Sequence, residues 1–193
     1  MKSKLFLTGE SGCGKSTLLR QELGKSLDNA GGFLTIRKVD ENGAVKGFDI
    51  IPPDEKQVST FLDFSKVPPI QMEAFGTLGV WCLENAMKNP SQYGYIVLDE
   101  IGGIELLEET FSEKLYQVLN SDIPCIGVIK GIGPATGMIQ ALGLSKAYEQ
   151  KREKLWTTMK SMEDAQVVEM HGWDDEDAKQ EVRKWVERWL LTK

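Results

Sequence analysis

Gly9-Glu10-Ser11-Gly12-Cys13-Gly14-Lys15-Ser16-Thr17 sets a glycine-rich turn between an apolar run, Leu5-Phe6-Leu7, and the leucines Leu18 and Leu19. A glycine, four residues and then Gly14-Lys15-Ser16 is the spacing of a loop that wraps a polyphosphate between a strand and a helix. Gly9, Gly12 and Gly14 open backbone conformations closed to residues with a Cβ, so that successive N–H groups can turn onto anionic oxygens. A helix starting near Gly14 or Lys15 adds its own unpaired N–H groups and the positive end of its dipole. Lys15 then neutralises charge on the β- and γ-phosphates, and the Ser16 hydroxyl ligates Mg²⁺.

A second chemically able group closes the run Tyr95-Ile96-Val97-Leu98-Asp99-Glu100. Continuous apolar character ending in carboxylates reads as a central parallel strand buried on both faces. Ligands of open parallel sheets lie beyond the carboxyl ends of the strands, which brings Asp99 beside the glycine loop as a metal ligand. Glu100, pointing differently, has the chemistry to orient and deprotonate a water. Lys130 ends another apolar run from Pro124, and reads either as a γ-phosphate contact or as an exposed lysine at a strand end. Arg152 belongs to a basic cluster with Lys146, Lys151, Lys154 and Lys160, behind the broken loop from Gly131 to Gly137. That cluster fits a lid carrying an arginine finger, or a helix whose Tyr148, Leu155, Trp156 and Met159 face the core while its cations face water. His171, the sole histidine, has no Cys, Asp or Glu at ligand spacing and reads as structural.

Several elements must position these groups. Leucines 18, 19, 23 and 27 predict a helix after the loop, stopped by the turn residues 28–32. Runs 33–39 and 45–51, joined through Asn42-Gly43, predict a β-hairpin, with a short strand at 58–64 and a helix at about 71–88. An amphipathic helix with Phe111, Leu115, Val118 and Leu119 precedes the 124–130 strand, a βαβ succession. Residues 166–170 form the last strand, and Val182, Trp185, Val186, Trp189 and Leu190 stripe a terminal helix. The 193 residues suit a single α/β domain, 1–193, with a mainly parallel sheet in three layers and a β-hairpin insertion after the loop's helix.

With 23 basic against 29 acidic residues the formal charge is −6, which argues against a nucleic-acid surface. Cys13, Cys82 and Cys125 lie far apart, without metal-ligand spacing, as free thiols of a reducing, cytoplasmic compartment. No run of 18 apolar residues calls for a membrane. The oligomeric state stays open, a monomer being compatible with everything above.

Residues 5–17 together with Gly32-Phe33-x-Thr35, Gly47-Phe48-x-Ile50 and Asp99-Glu100-Ile101-Gly102-x-x-Glu105-Leu106 resemble the thermophilic nucleoside-triphosphatase family, whose human member is called cancer-related nucleoside-triphosphatase. The resemblance covers about residues 2–130 and implies a P-loop NTPase fold and Mg²⁺-dependent hydrolysis of ATP or GTP with broad base selectivity. It implies that Gly9, Glu10, Ser11, Gly12, Cys13, Gly14, Lys15, Ser16 and Thr17 bind the nucleotide, that Ser16 and Asp99 hold the metal, and that Glu100 is the base. Two departures stand out. Gly127-Val128-Ile129 replaces the family's Gly-Thr-Ile, and residues 131–162 are a lid or an insertion that diverges from the family. A nucleotide or small-molecule kinase, and a slow nucleotide-dependent switch, are the alternative functions.

Overall fold

The computed structural model describes residues 2–131, 144 and 146–191, so of the expected broken loop only Gly131 falls within the described residues. Among the described residues, seven strands form one sheet in the order β4-β3-β2-β5-β6-β1-β7. These are β1 (Lys4–Thr8), β2 (Ala30–Val39), β3 (Val45–Ile51), β4 (Ser59–Asp63), β5 (Tyr95–Ile101), β6 (Cys125–Ile129) and β7 (Ala165–Glu169). Strands β2, β5, β6, β1 and β7 pair in parallel, whereas β2-β3 and β3-β4 are antiparallel. The expected hairpin therefore extends the sheet at one edge, with Arg37 opposite Phe48.

Helices α1 (Lys15–Leu23), α2 (Val80–Lys88), α3 (Glu109–Leu119), α4 (Lys146–Ser161) and α5 (Glu176–Leu190) cover both faces. Side chains alternate along a strand, so each central strand feeds two cores. From β5, Tyr95 and Val97 join Leu18, Leu19 and Leu23 of α1 and Val182 and Trp185 of α5. Ile96 and Leu98 join Cys82 and Leu83 of α2, Phe111 and Leu115 of α3, and Leu155 and Met159 of α4. No helix among the described residues is long and apolar enough to cross a membrane.

Two expectations shift. Helix α1 ends at Leu23, with Gly24 at φ 48, and a 3₁₀ turn carries the chain through Asn29. Ala30-Gly31-Gly32, expected in a turn, instead begins β2. The glycines serve close approach here, since a Cβ on Gly31 would lie 2.5 Å from Ala86 Cβ and one on Gly32 2.0 Å from the Val97 carbonyl oxygen. They let β2 lie tightly against α2 and β5.

Candidate active site

Strand β1 delivers the glycine loop to the rim of the sheet, where it rests on the residues leaving β7. The Met170 N–H donates to Thr8 O at 2.8 Å, and a Cβ on Gly9 would come within 2.2 Å of Met170 O. Gly12 and Gly14 have φ of 84° and 101°, and Gly14 caps α1 with no side-chain acceptor. The first N–H groups of α1 thus remain available to an anion. Lys15 folds back over the loop, its Nζ donating to Gly9 O at 3.0 Å and Glu10 O at 2.6 Å. The Cys13 thiol lies 3.7 Å from that amine and 3.5 Å from Met170 O.

One helical residue further on, Ser16 Oγ donates to Asp99 Oδ1 at 2.6 Å. Asp99 is fully buried, and its Oδ2 has no hydrogen-bond partner among the described residues, Arg20 Nη2 standing 3.7 Å away. Burial pushes this carboxyl up to about 6, against the pull of the Ser16 hydrogen bond and Arg20. A buried oxygen lacking a donor beside a serine hydroxyl fits a hard divalent cation, because oxygen ligands of this kind suit Mg²⁺.

Strict alternation would send Glu100 to the opposite face from Asp99. The β5-β6 ladder slips between Asp99 and Ile101, and Leu98 and Ile101, three residues apart, enter the same core. Asp99 is buried against Ser16, while Glu100, the next residue, lines the cleft wall. The Glu100 N–H donates to Thr35 Oγ1 at 3.1 Å, and its Oε2 lies 3.4 Å from Lys130 Nζ. Lys130 is thus half-buried and ion-paired, not a free strand-end lysine. Just beyond, the buried Glu105 accepts the Gly102 and Gly103 N–H groups at 2.6 and 2.8 Å, although burial pushes its carboxyl upward.

Arg152 departs from both readings of the basic cluster. It lies on the buried face of α4 with Tyr148, Leu155 and Met159, while Lys146, Lys154 and Lys160 are exposed. Its Nη2 donates to Gly131 O at 2.7 Å, its guanidinium lies 5.5 Å from the Tyr148 ring centroid, and it does not line the cleft. Tyr148 in turn donates to Gly102 O at 3.3 Å and Trp156 Nε1 to Lys130 O at 3.0 Å, so α4 braces the ends of β5 and β6.

The cleft has a volume of about 310 Å³ and runs from loop residues Ser11, Gly12 and Gly14 through Lys15, Ser16 and Thr17 to Glu100. Gly9, Glu10 and Cys13 belong to the loop without lining the cleft. Arg20, Thr35, Arg37 and Phe48 complete its wall, and sequence reasoning gave none of them a role at the site. The available signals were positional: Arg20 is one turn after Ser16 on α1, and Thr35 and Arg37 share a face of β2. Arg20 Nη2 donates to Thr35 O at 2.8 Å, joining α1 to β2 beneath the cleft.

Comparison with known proteins gives a consistent answer. The sequence model of the family described as NTPase matches residues 4–159. The nucleoside-triphosphatase THEP1 of Thermotoga petrophila is 34% identical over 133 residues, 66% of this chain and 72% of that protein. The THEP1 of Methanocaldococcus jannaschii is 28% identical over 135 residues, 65% of this chain and 77% of that protein. In three dimensions the crystal structure of THEP1 from the hyperthermophile Aquifex aeolicus superposes with a TM-score of 0.66, over 96% of this chain and 99% of that one, at 21% identity. The family match over residues 4–159 and a relative at 34% identity leave one conclusion: this chain belongs to the NTPase family, among the nucleoside-triphosphatases.

Proposed function

We propose that the chain hydrolyses nucleoside triphosphates such as ATP and GTP in a Mg²⁺-dependent reaction, with broad base selectivity, in the cytoplasm. The observation that carries this reading is the contact of Ser16 with Asp99 at the open N-terminus of α1, with Glu100 next in the chain on the cleft wall. The loop N–H groups and Lys15 bind the phosphate tail, which needs no feature of the base. Ser16 and Asp99 would hold Mg²⁺, which when bound neutralises charge on the transferred phosphoryl group. Glu100 orients the attacking water and takes its proton. Lys130 holds one Glu100 oxygen, leaving the other for the water. Arg152 acts through Gly131, by fixing the end of β6, and not by touching phosphate.

Two variants test the division of labour. Glu100→Gln keeps shape and loses basicity, so phosphate release should fall by about 10² to 10⁴ while nucleotide binding survives. Asp99→Asn should lose affinity and metal dependence together. Wild-type turnover by Glu100→Gln would remove the water-activating role. One observation favours phosphoryl transfer to an acceptor as a second reading: the cleft wall also carries Arg37, whose guanidinium lies 5.9 Å from the Phe48 ring centroid. Assaying phosphate release with and without hydroxyl and phosphate acceptors separates the two.

A further inference from the structure

A nucleoside triphosphate has two ends, and the groups described so far serve only one. Ser16, Asp99, Glu100 and Lys130 gather where β5 and β6 end, on one side of β1. The terminal phosphate therefore points that way, and the nucleoside must leave the loop in another direction. On the other side of β1 stands β7, and the segment after it crosses the loop. Met170 backs Gly9, and Trp173 Cβ lies 3.3 Å from where a Cβ on Gly14 would stand, at the first turn of α1.

Trp173 is 69% exposed and belongs to neither core. A large exposed aromatic side chain beside an anion-binding helix end presents a flat π-face on which a planar ligand can stack. Its backbone is fixed, because Asp175 accepts the His171 and Ala178 N–H groups at 3.0 Å each and returns its own N–H to Gly172 O at 3.2 Å. Lys179 Nζ sits 5.1 Å from the indole centroid.

We infer that Trp173 is the platform on which the nucleobase of the bound triphosphate stacks, a step that rests on the phosphate-loop reading above. Every base has a π-face, so stacking contributes affinity with little discrimination between purines and pyrimidines. The ligand class is any nucleoside triphosphate, with larger purines held more tightly. Base selectivity is broad because the base meets an aromatic face and not a set of hydrogen-bonding groups.

The test compares two probes, a non-hydrolysable ATP analogue and inorganic tripolyphosphate, each titrated with Mg²⁺ onto wild type, Trp173→Ala and Trp173→Phe. Trp173→Ala should weaken the nucleotide about tenfold and leave tripolyphosphate unchanged, and Trp173→Phe should recover most of the loss. Unchanged nucleotide affinity in Trp173→Ala, with tripolyphosphate still bound, overturns the inference alone. Parallel loss for both probes also overturns it, by assigning Trp173 to the loop's structure. Wild type binding neither probe removes the phosphate-loop reading, and this inference with it.

Discussion

Cys13 shares its loop with the Lys15 amine and is half-buried, whereas burial pushes the Cys82 and Cys125 thiols up to about 12 and keeps them protonated. Iodoacetamide should therefore modify Cys13 first, and Mg²⁺ with a nucleoside triphosphate should protect it, as read by peptide mass mapping over time. Equal rates at the three thiols would contradict the loop geometry. The loop itself was legible because its chemistry is local, nine consecutive residues between a strand and a helix. Arg20, Arg37 and Phe48 are not legible, because their meeting in the cleft brings together α1, β2 and β3, a long-range fact that no local spacing carries.

Strand ends, more than strands, decide the geometry of the carboxylates. The apolar run to Asp99 made β5 and its depth readable, and placed Asp99 beside the loop. The slip between Asp99 and Ile101 was hidden, since it depends on pairing with β6 and on how the next turn is held. That turn is held by Glu105, whose carboxylate occupies the Gly102 and Gly103 N–H groups. Glu105→Ala should cost about 2 to 5 kcal/mol, because two buried donors lose their acceptor. Urea denaturation measures it, and a loss below about 0.5 kcal/mol would show that water replaces the carboxylate freely. The glycines of β2 mislead in sequence for a related reason. Gly31 and Gly32 look like turn residues in sequence, and only the neighbouring backbone shows that they are spacers.

Across the molecule, the first and last strands are tied by charge. Lys4, buried in β1, pairs with Asp164 just before β7, and Ser3 Oγ donates to the same carboxylate at 2.8 Å. Partial burial pushes the Asp164 carboxyl up, but the Lys4 and Ser3 hydrogen bonds outweigh it and hold the group below the usual carboxylate range. A depressed carboxyl contributes stability in full above its unfolded value near 3.8, and that contribution disappears as pH falls through the folded value. Melting temperature should accordingly drop more steeply below pH 4 in wild type than in Asp164→Asn, and parallel profiles would dismiss the pair. Because water still reaches the carboxylate, which is 40% exposed, the variant should lose only about 1 to 2 kcal/mol at neutral pH. The same tie has a consequence for synthesis. Strand β1 is made first, yet its two neighbours are residues 125–129 and 165–169, and the wall behind Gly9 is Met170. On the ribosome the phosphate loop waits, without its backing, until most of the chain has emerged. Capture of a nucleotide by a nascent chain would therefore mark nearly complete folding of this unit rather than its beginning.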